Sequence, residues 1–122
     1  MKENLILNKT FDFALEIIDL YKLLLSKNEF VLSKQIIRAG KSIGANVEEA
    51  IAGHSRKDFI AKLVIAAKEA RETRYFLKLM DRSQLVKTDY SKFLQKIEDI
   101  LNILYAIIKT SQSNSNNLEF KI

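Results

Sequence analysis

The chain has 122 residues, the usual size of a single domain, with no cysteine, no proline and only three glycines. The lack of cysteine excludes disulfides, thiolate metal sites and thiol catalysis, and the lack of proline leaves few positions at which a helix must break. A net charge of +5 favours polyanionic partners. No stretch is apolar for long enough to cross a membrane and none resembles a cleavable leader, so we expect a cytoplasmic protein without a membrane partner.

The first predicted helix runs from about Asn8 or Thr10 to Lys27. Its apolar residues form two rows at helical spacing, one of Phe11, Leu15, Ile18 and Leu25 and one of Phe13, Ile17, Leu20 and Leu24. One bundle core cannot cover so much apolar circumference. We therefore expect part of this helix to face another subunit.

The second predicted helix spans about Val31 to Ala52, and we expect Gly53 to end it in a left-handed conformation. Ser55 is predicted to cap the third helix, because Asp58 follows three residues later in an arrangement like a capping box. The periodic pattern of this third helix continues to about Asp81.

Thr88 and Asp89 predict the start of a fourth helix, which should end near Thr110. Its apolar residues recur every three or four positions at Phe93, Ile97, Ile100, Leu104 and Ile107. Because the connections are short, neighbouring helices should be antiparallel. The sequence thus predicts an all-α protein, an up-down-up-down four-helix bundle over residues 1–110, followed by a disordered polar tail over 111–122.

The second predicted helix carries a polar face, whose members are Gln35, Arg38, Ser42, Asn46 and Glu49. If the chain reverses at Gly53, Arg38 lies opposite Glu69 and Gln35 lies opposite Glu72. We interpret the set as a structural polar network that fixes the register of the hairpin, with a ligand site as the alternative. Gly40 and Gly44 leave another part of the helix surface without side chains, so a second backbone is expected to approach it closely.

The third predicted helix has a basic edge, formed by Lys68, Arg71, Arg74 or Tyr75, Lys78 and Arg82. Residues 56–82 contain eight Lys or Arg but only four Asp or Glu. A solvated helix face produces the same pattern, and so does a nucleic-acid-binding surface. Repetition of the edge in an oligomer favours the second interpretation, because tethered weak phosphate contacts act together.

No group of residues points to catalysis, a cofactor or a metal. The segment Ala39-Gly40-Lys41-Ser42 ends like a phosphate-binding loop, but Gln35 stands where that loop needs a glycine. The single histidine, His54, follows no glutamate at the spacing of di-metal bundles, so we interpret it as a surface turn residue. Glu48, like the other carboxylates of the second and third helices, has no partner nucleophile.

Five segments together resemble a known bacterial family: Ser33-Lys34-Gln35, Arg38-Ala39, residues 42–50 (SIGANVEEA), residues 55–60 (SRKDFI) and residues 68–73 (KEARET). They are similar to the four-helix-bundle proteins first noticed in intervening sequences of 23S ribosomal RNA genes, over about Phe11 to Lys109. The resemblance implies a cytoplasmic ring-like homopentamer and no agreed biochemical activity. A related branch serves beside a retroelement reverse transcriptase, where a basic surface is thought to hold nucleic acid. Ala50 replaces the glycine that many members have.

Two hypotheses for function follow. In the first, a non-catalytic oligomeric bundle binds structured RNA or DNA through the basic edge, without base readout. In the second, the bundle is a purely structural adaptor for another protein, and its positive charge has no nucleic-acid partner.

Overall fold

The computed structural model describes residues 2–121, with the side chains of residues 4–114. The backbone forms four helices: α1 (Lys2–Ser26), α2 (Leu32–Ala52), α3 (Arg56–Ser83) and α4 (Ser91–Lys121). Residues 2–121 contain no strand. The predicted all-α class is therefore confirmed.

Each helix packs against two neighbours, in the order α1–α2, α2–α3, α3–α4 and α4–α1. Within the described residues, the diagonal pairs α1–α3 and α2–α4 have no Cα atoms within 8 Å of each other. Short links between consecutive helices make these neighbours antiparallel. The arrangement is the predicted up-down four-helix bundle, with α1 and α3 at opposite corners.

The core is built from one apolar row of each helix. On α4, all five residues of the predicted row are buried, from Phe93 to Ile107. On α1, only one of the two predicted rows enters the core; its members are Phe13, Ile17, Leu20 and Leu24. In the second row of α1, Phe11, Leu15 and Ile18 are exposed and Leu25 is partly buried, as expected when a helix has more apolar circumference than one core can cover.

Two helix boundaries differ from the predictions. Helix α1 begins at Lys2 rather than near Asn8 or Thr10, because Ile6 is buried in the core and the Thr10 hydroxyl donates to the Ile6 carbonyl oxygen at 2.8 Å. Helix α4 continues to Lys121 rather than ending near Thr110. Residues 111–121 contain no proline or glycine to stop it.

The beginning of the predicted tail is also helical. Ser111 is buried, and Gln112, Ser113 and Asn114 continue the helix. Residues 111–114 are therefore helical in the structure, whereas their polar composition had suggested a disordered tail. The side chains of residues 115–122 lie outside the described part of the chain.

The turn between α2 and α3 corrects one prediction and confirms another. Gly53 has φ −65° and ψ 155°, which is an extended and not a left-handed conformation. Left-handed residues occur instead at the other bundle end, at Asn28 and Gln84. Ser55 caps α3 as predicted, because its hydroxyl oxygen accepts from the Asp58 N–H at 3.1 Å.

Glu29 caps α2 in a way that the sequence patterns did not indicate. Its carboxylate is almost fully buried and accepts from the N–H groups of Val31, Leu32 and Ser33 at 3.1, 2.9 and 2.6 Å. Burial opposes ionisation, but these backbone donors outweigh it and hold the pKa of Glu29 below its ordinary value. The negative charge of Glu29 thereby lies at the positive end of the α2 helix dipole.

The part of the α2 surface that contains Gly40 and Gly44 packs against α1, as predicted. A Cβ atom on Gly44 would lie 3.4 Å from the backbone oxygen of Thr10. A Cβ atom on Gly40 would lie 2.9 Å from the Cγ2 atom of Ile17. Both glycines therefore allow close approach within one subunit.

Candidate nucleic-acid interface

Five residues of α3 form an exposed surface that we call the cation row: Lys68, Arg71, Tyr75, Lys78 and Arg82. With about 100° of rotation per residue, all five fall within an arc of roughly 80° on the helix. The row extends over about 21 Å along the helix axis, at 1.5 Å per residue. It points away from the core, so its side chains are available to a partner.

The cations of the row are not neutralised within the described structure. None of Lys68, Arg71, Lys78 and Arg82 has a carboxylate within 4.0 Å among residues 4–114. Arg71 donates to the Tyr105 hydroxyl at 3.2 Å, which fixes its guanidinium without cancelling its charge. The surface therefore presents four positive charges along one line.

Arg74 does not belong to this surface, although the sequence offered it as a candidate. It lies on the side of α3 that faces α4, where its guanidinium pairs with the Glu98 carboxylate at 2.8 Å. Tyr75 occupies the outward position instead, with 60% of its surface exposed. The sequence could not decide between the two, because Glu98 comes from a different helix.

The predicted polar network is present in part and lies half-buried between α2 and α3. Arg38 bonds Glu69 at 3.3 Å, as predicted, and it also bonds Glu72, which the sequence had assigned to Gln35. Arg38 reaches both because Glu69 and Glu72 are three residues apart on α3 and therefore lie on the same side of that helix. The Arg38 side chain is 47% exposed, so the pairing contributes to register more than to stability.

The remaining members of the network make contacts within α2 or face solvent. The Ser42 hydroxyl donates to the Arg38 carbonyl oxygen at 2.7 Å, and the Asn46 amide donates to the Ser42 carbonyl oxygen at 2.8 Å. Gln35 and Glu49 are exposed. The structural interpretation of the polar face and its ligand-site alternative both stay predictions.

A second outward surface lies on α1, and we call it the apolar row: Phe11, Leu15 and Ile18. These side chains are 61%, 49% and 38% exposed. Beside the row, a partly open cavity of about 290 Å³ lies along the contact between α1 and α2, and its lining includes Phe11, Ala14, Gly44 and Ala45. The row is an unpartnered apolar face within one subunit. Helix α4, in contrast, buries its predicted row completely.

The histidine and the segment that resembles a phosphate-binding loop do not form a site among the described residues. His54 is exposed at the α2–α3 turn, and Ala39 to Ser42 lie in the middle of α2. Among residues 4–114, no three His, Asp or Glu side chains form a group suited to a metal ion. None of the four helices, over residues 2–121, has a segment long and apolar enough to span a membrane.

Comparison with known proteins finds a family and solved structures that match this chain. The family model for the 23S rRNA-intervening sequence protein matches residues 2–106. A crystal structure at 1.70 Å of a protein of unknown function, from the S23 ribosomal protein family of Bacteroides thetaiotaomicron, is similar to this chain with a TM-score of 0.85 and 46% identity. That match covers 89% of this chain and 99% of the Bacteroides chain. No curated protein matches.

Proposed function

The chain belongs to the 23S rRNA-intervening sequence protein family, and we propose that it is a non-catalytic, oligomeric helical bundle that binds structured RNA or DNA through the cation row. The observation that carries this proposal is the set of four exposed cations without carboxylate partners among residues 4–114. Such a surface attracts a phosphate backbone and gains free energy from the counterions that the nucleic acid releases.

The shape of the row favours backbone contacts over base-edge recognition. A straight row of about 21 Å matches about six base steps of a stacked strand. The row lies along the side of a long helix, and its cations can contact phosphates without entering a groove. Binding should therefore depend strongly on salt and weakly on base sequence.

Assembly would strengthen this weak binding. The apolar row gives α1 an outward surface suited to another copy of the chain, and α1 and α3 occupy opposite corners of the bundle. In a ring, the apolar row of each subunit packs on a different surface of the next subunit, and each cation row stays free when that surface is not α3. Five subunits are the number implied by the family resemblance, and repeated rows in such a cytoplasmic ring would bind one nucleic acid at high effective concentration.

The alternative function is a protein adaptor without a nucleic-acid partner. The same apolar row supports it, because an exposed apolar face with an adjacent cavity fits another protein as well as a second copy of this chain. On this alternative, the charges of the cation row only keep α3 solvated.

Neutralisation of the row tests the proposal. We would change Lys68, Lys78 and Arg82 to glutamine and measure binding to mixed-sequence RNA and DNA by fluorescence anisotropy, between about 50 and 200 mM salt. The slope of log affinity against log salt should flatten by about 2 to 3, because each lost phosphate contact removes about 0.9.

A matched variant separates the row from net charge. Changing Lys22, Lys27 and Lys34 to glutamine removes the same charge from exposed positions elsewhere, and this variant should retain the steep slope of the parent. An equally flattened slope in both variants would show that net charge, and not the cation row, governs binding. Absence of binding at low salt by the assembled parent would favour the adaptor.

A further inference from the structure

Tyr75 occupies the centre of the cation row. It follows Lys68 by seven residues and precedes Arg82 by seven, so it has a cation about 10 Å away along the helix on each side. The other aromatic residues of α3, Phe59 and Phe76, are partly buried against the core. The Tyr75 ring, in contrast, is 60% exposed and lies in the middle of a line of cations.

The Tyr75 ring contacts the ring of the next residue on α3. It meets Phe76 edge to face, with 5.9 Å between ring centroids and an angle of 65° between ring planes. Because Phe76 packs against the core, this contact restricts the orientations of the tyrosine ring. A supported ring with 60% exposure presents a stacking surface and loses little conformational freedom when a ligand binds.

The ligand that fits this arrangement is a nucleotide with an unpaired base. In a duplex, base faces are covered by their neighbours, and a surface ring can reach only the backbone. An unpaired base in a loop, bulge or single strand can leave its stack and lie on an aromatic ring. The cations on each side of Tyr75 would then contact phosphates about three nucleotides away on the same strand.

We propose that Tyr75 stacks on an unpaired base and gives the cation row a preference for nucleic acid that contains unpaired nucleotides. This inference rests on the proposed function and specifies its ligand. Stacking on one aromatic side chain should favour such a ligand over a duplex of equal charge by about 5- to 100-fold.

The experiment compares two RNA ligands with the same number of phosphates, a hairpin with an unpaired loop and a fully paired duplex. Affinities of the assembled parent, Tyr75→Ala and Tyr75→Phe are measured at one salt concentration. The parent and Tyr75→Phe should prefer the hairpin, because both have the ring. Tyr75→Ala should bind both ligands with the affinity that the parent has for the duplex.

Phe30→Ala is the control for loss of an exposed ring, because Phe30 is 53% exposed but lies in the α1–α2 connection, away from the row. It should behave like the parent. Equal affinity of the parent for hairpin and duplex would overturn the inference while leaving the proposed function intact. A change of oligomer mass in Tyr75→Ala would overturn it too, since Tyr75 would then be a subunit contact. If the parent binds neither RNA, the proposed function fails and the inference fails with it.

Discussion

The apolar row of α1 and the cation row of α3 have the same helical spacing but different chemistry. On α1 the row is formed by Phe11, Leu15 and Ile18, whereas the exposed side of α3 combines cations and Tyr75 with the apolar residues Val64, Ile65 and Leu79. Neither face is required by the core, because each helix already buries another row. Residues at such positions are free of internal packing constraints, so their chemistry is informative about partners outside the subunit.

The two faces lie on helices at opposite corners of the bundle. A partner on the apolar row therefore need not cover the cation row of the same subunit. This separation predicts that the cation row can be changed without altering assembly, whereas loss of assembly should weaken nucleic-acid binding only because the repeated rows no longer act together.

The largest effect is expected from the apolar row. Phe11→Glu with Leu15→Lys places a favourable i,i+4 charge pair on α1, so the helix is retained while its exposed apolar surface is removed. Light scattering coupled to size exclusion should show a parent mass that is a multiple of 14.1 kDa and a variant mass close to 14.1 kDa.

Val64→Glu is the matched variant on α3, where it also exchanges an exposed apolar residue for a charge and can pair with Lys68. Its mass should equal that of the parent. A parent that is already a monomer at micromolar concentration would contradict the role of the apolar row. Dissociation of the Val64→Glu variant would place the subunit contact on α3 instead.

An intermediate effect is expected at Glu29, which lies on neither face. Because the pKa of Glu29 is lower in the folded chain than its ordinary value of 4.5, its contribution to stability is present above about pH 4.5. The contribution is lost as the pH falls through the lower pKa of the folded state. Glu29→Ala should reduce the free energy of unfolding by about 1 to 2 kcal/mol at neutral pH, as loss of a helix cap does.

Urea unfolding at several pH values measures this effect, and the difference between parent and Glu29→Ala should shrink below pH 4.5. Arg38→Ala is the comparison variant, since its half-exposed ion pairs should contribute below about 1 kcal/mol. If Arg38→Ala reduced the free energy of unfolding more than Glu29→Ala does, the expected order of the two effects would be wrong. Both variants should retain the oligomer mass and the nucleic-acid affinity of the parent.

The smallest effect is expected at Glu98, which neutralises Arg74 beside the cation row. Glu98→Gln removes that charge and should increase nucleic-acid affinity a few-fold, because Arg74 gains freedom to contact a phosphate. The slope of log affinity against log salt should steepen by about 0.9 at most. Asp19→Asn on α1 makes the same change of net charge. An equal increase of nucleic-acid affinity in that variant would show that total charge causes the effect.

Much of the fold could be predicted because helical periodicity is a local property. The bounds of α2 differ from the prediction by one residue, and the Ser55 cap and the buried row of α4 were predicted correctly. The differences occur where packing overrides composition. Burial of Ile6 extends α1 toward its N-terminus, and burial of Ser111 continues α4 into a segment whose polar residues had suggested disorder.

For the candidate site, the sequence by itself determined which residues of α3 share an edge, because that depends only on the rotation per residue. It also determined that α1 has two apolar rows. Only the tertiary structure decided which row enters the core, which of Arg74 and Tyr75 faces outward, and which carboxylates Arg38 reaches. Arg74 and Glu98 are 24 residues apart, and Arg38 and Glu72 are 34 apart. Whether such groups meet depends on the rotation and axial position of one helix relative to another, which are set by packing of the whole core.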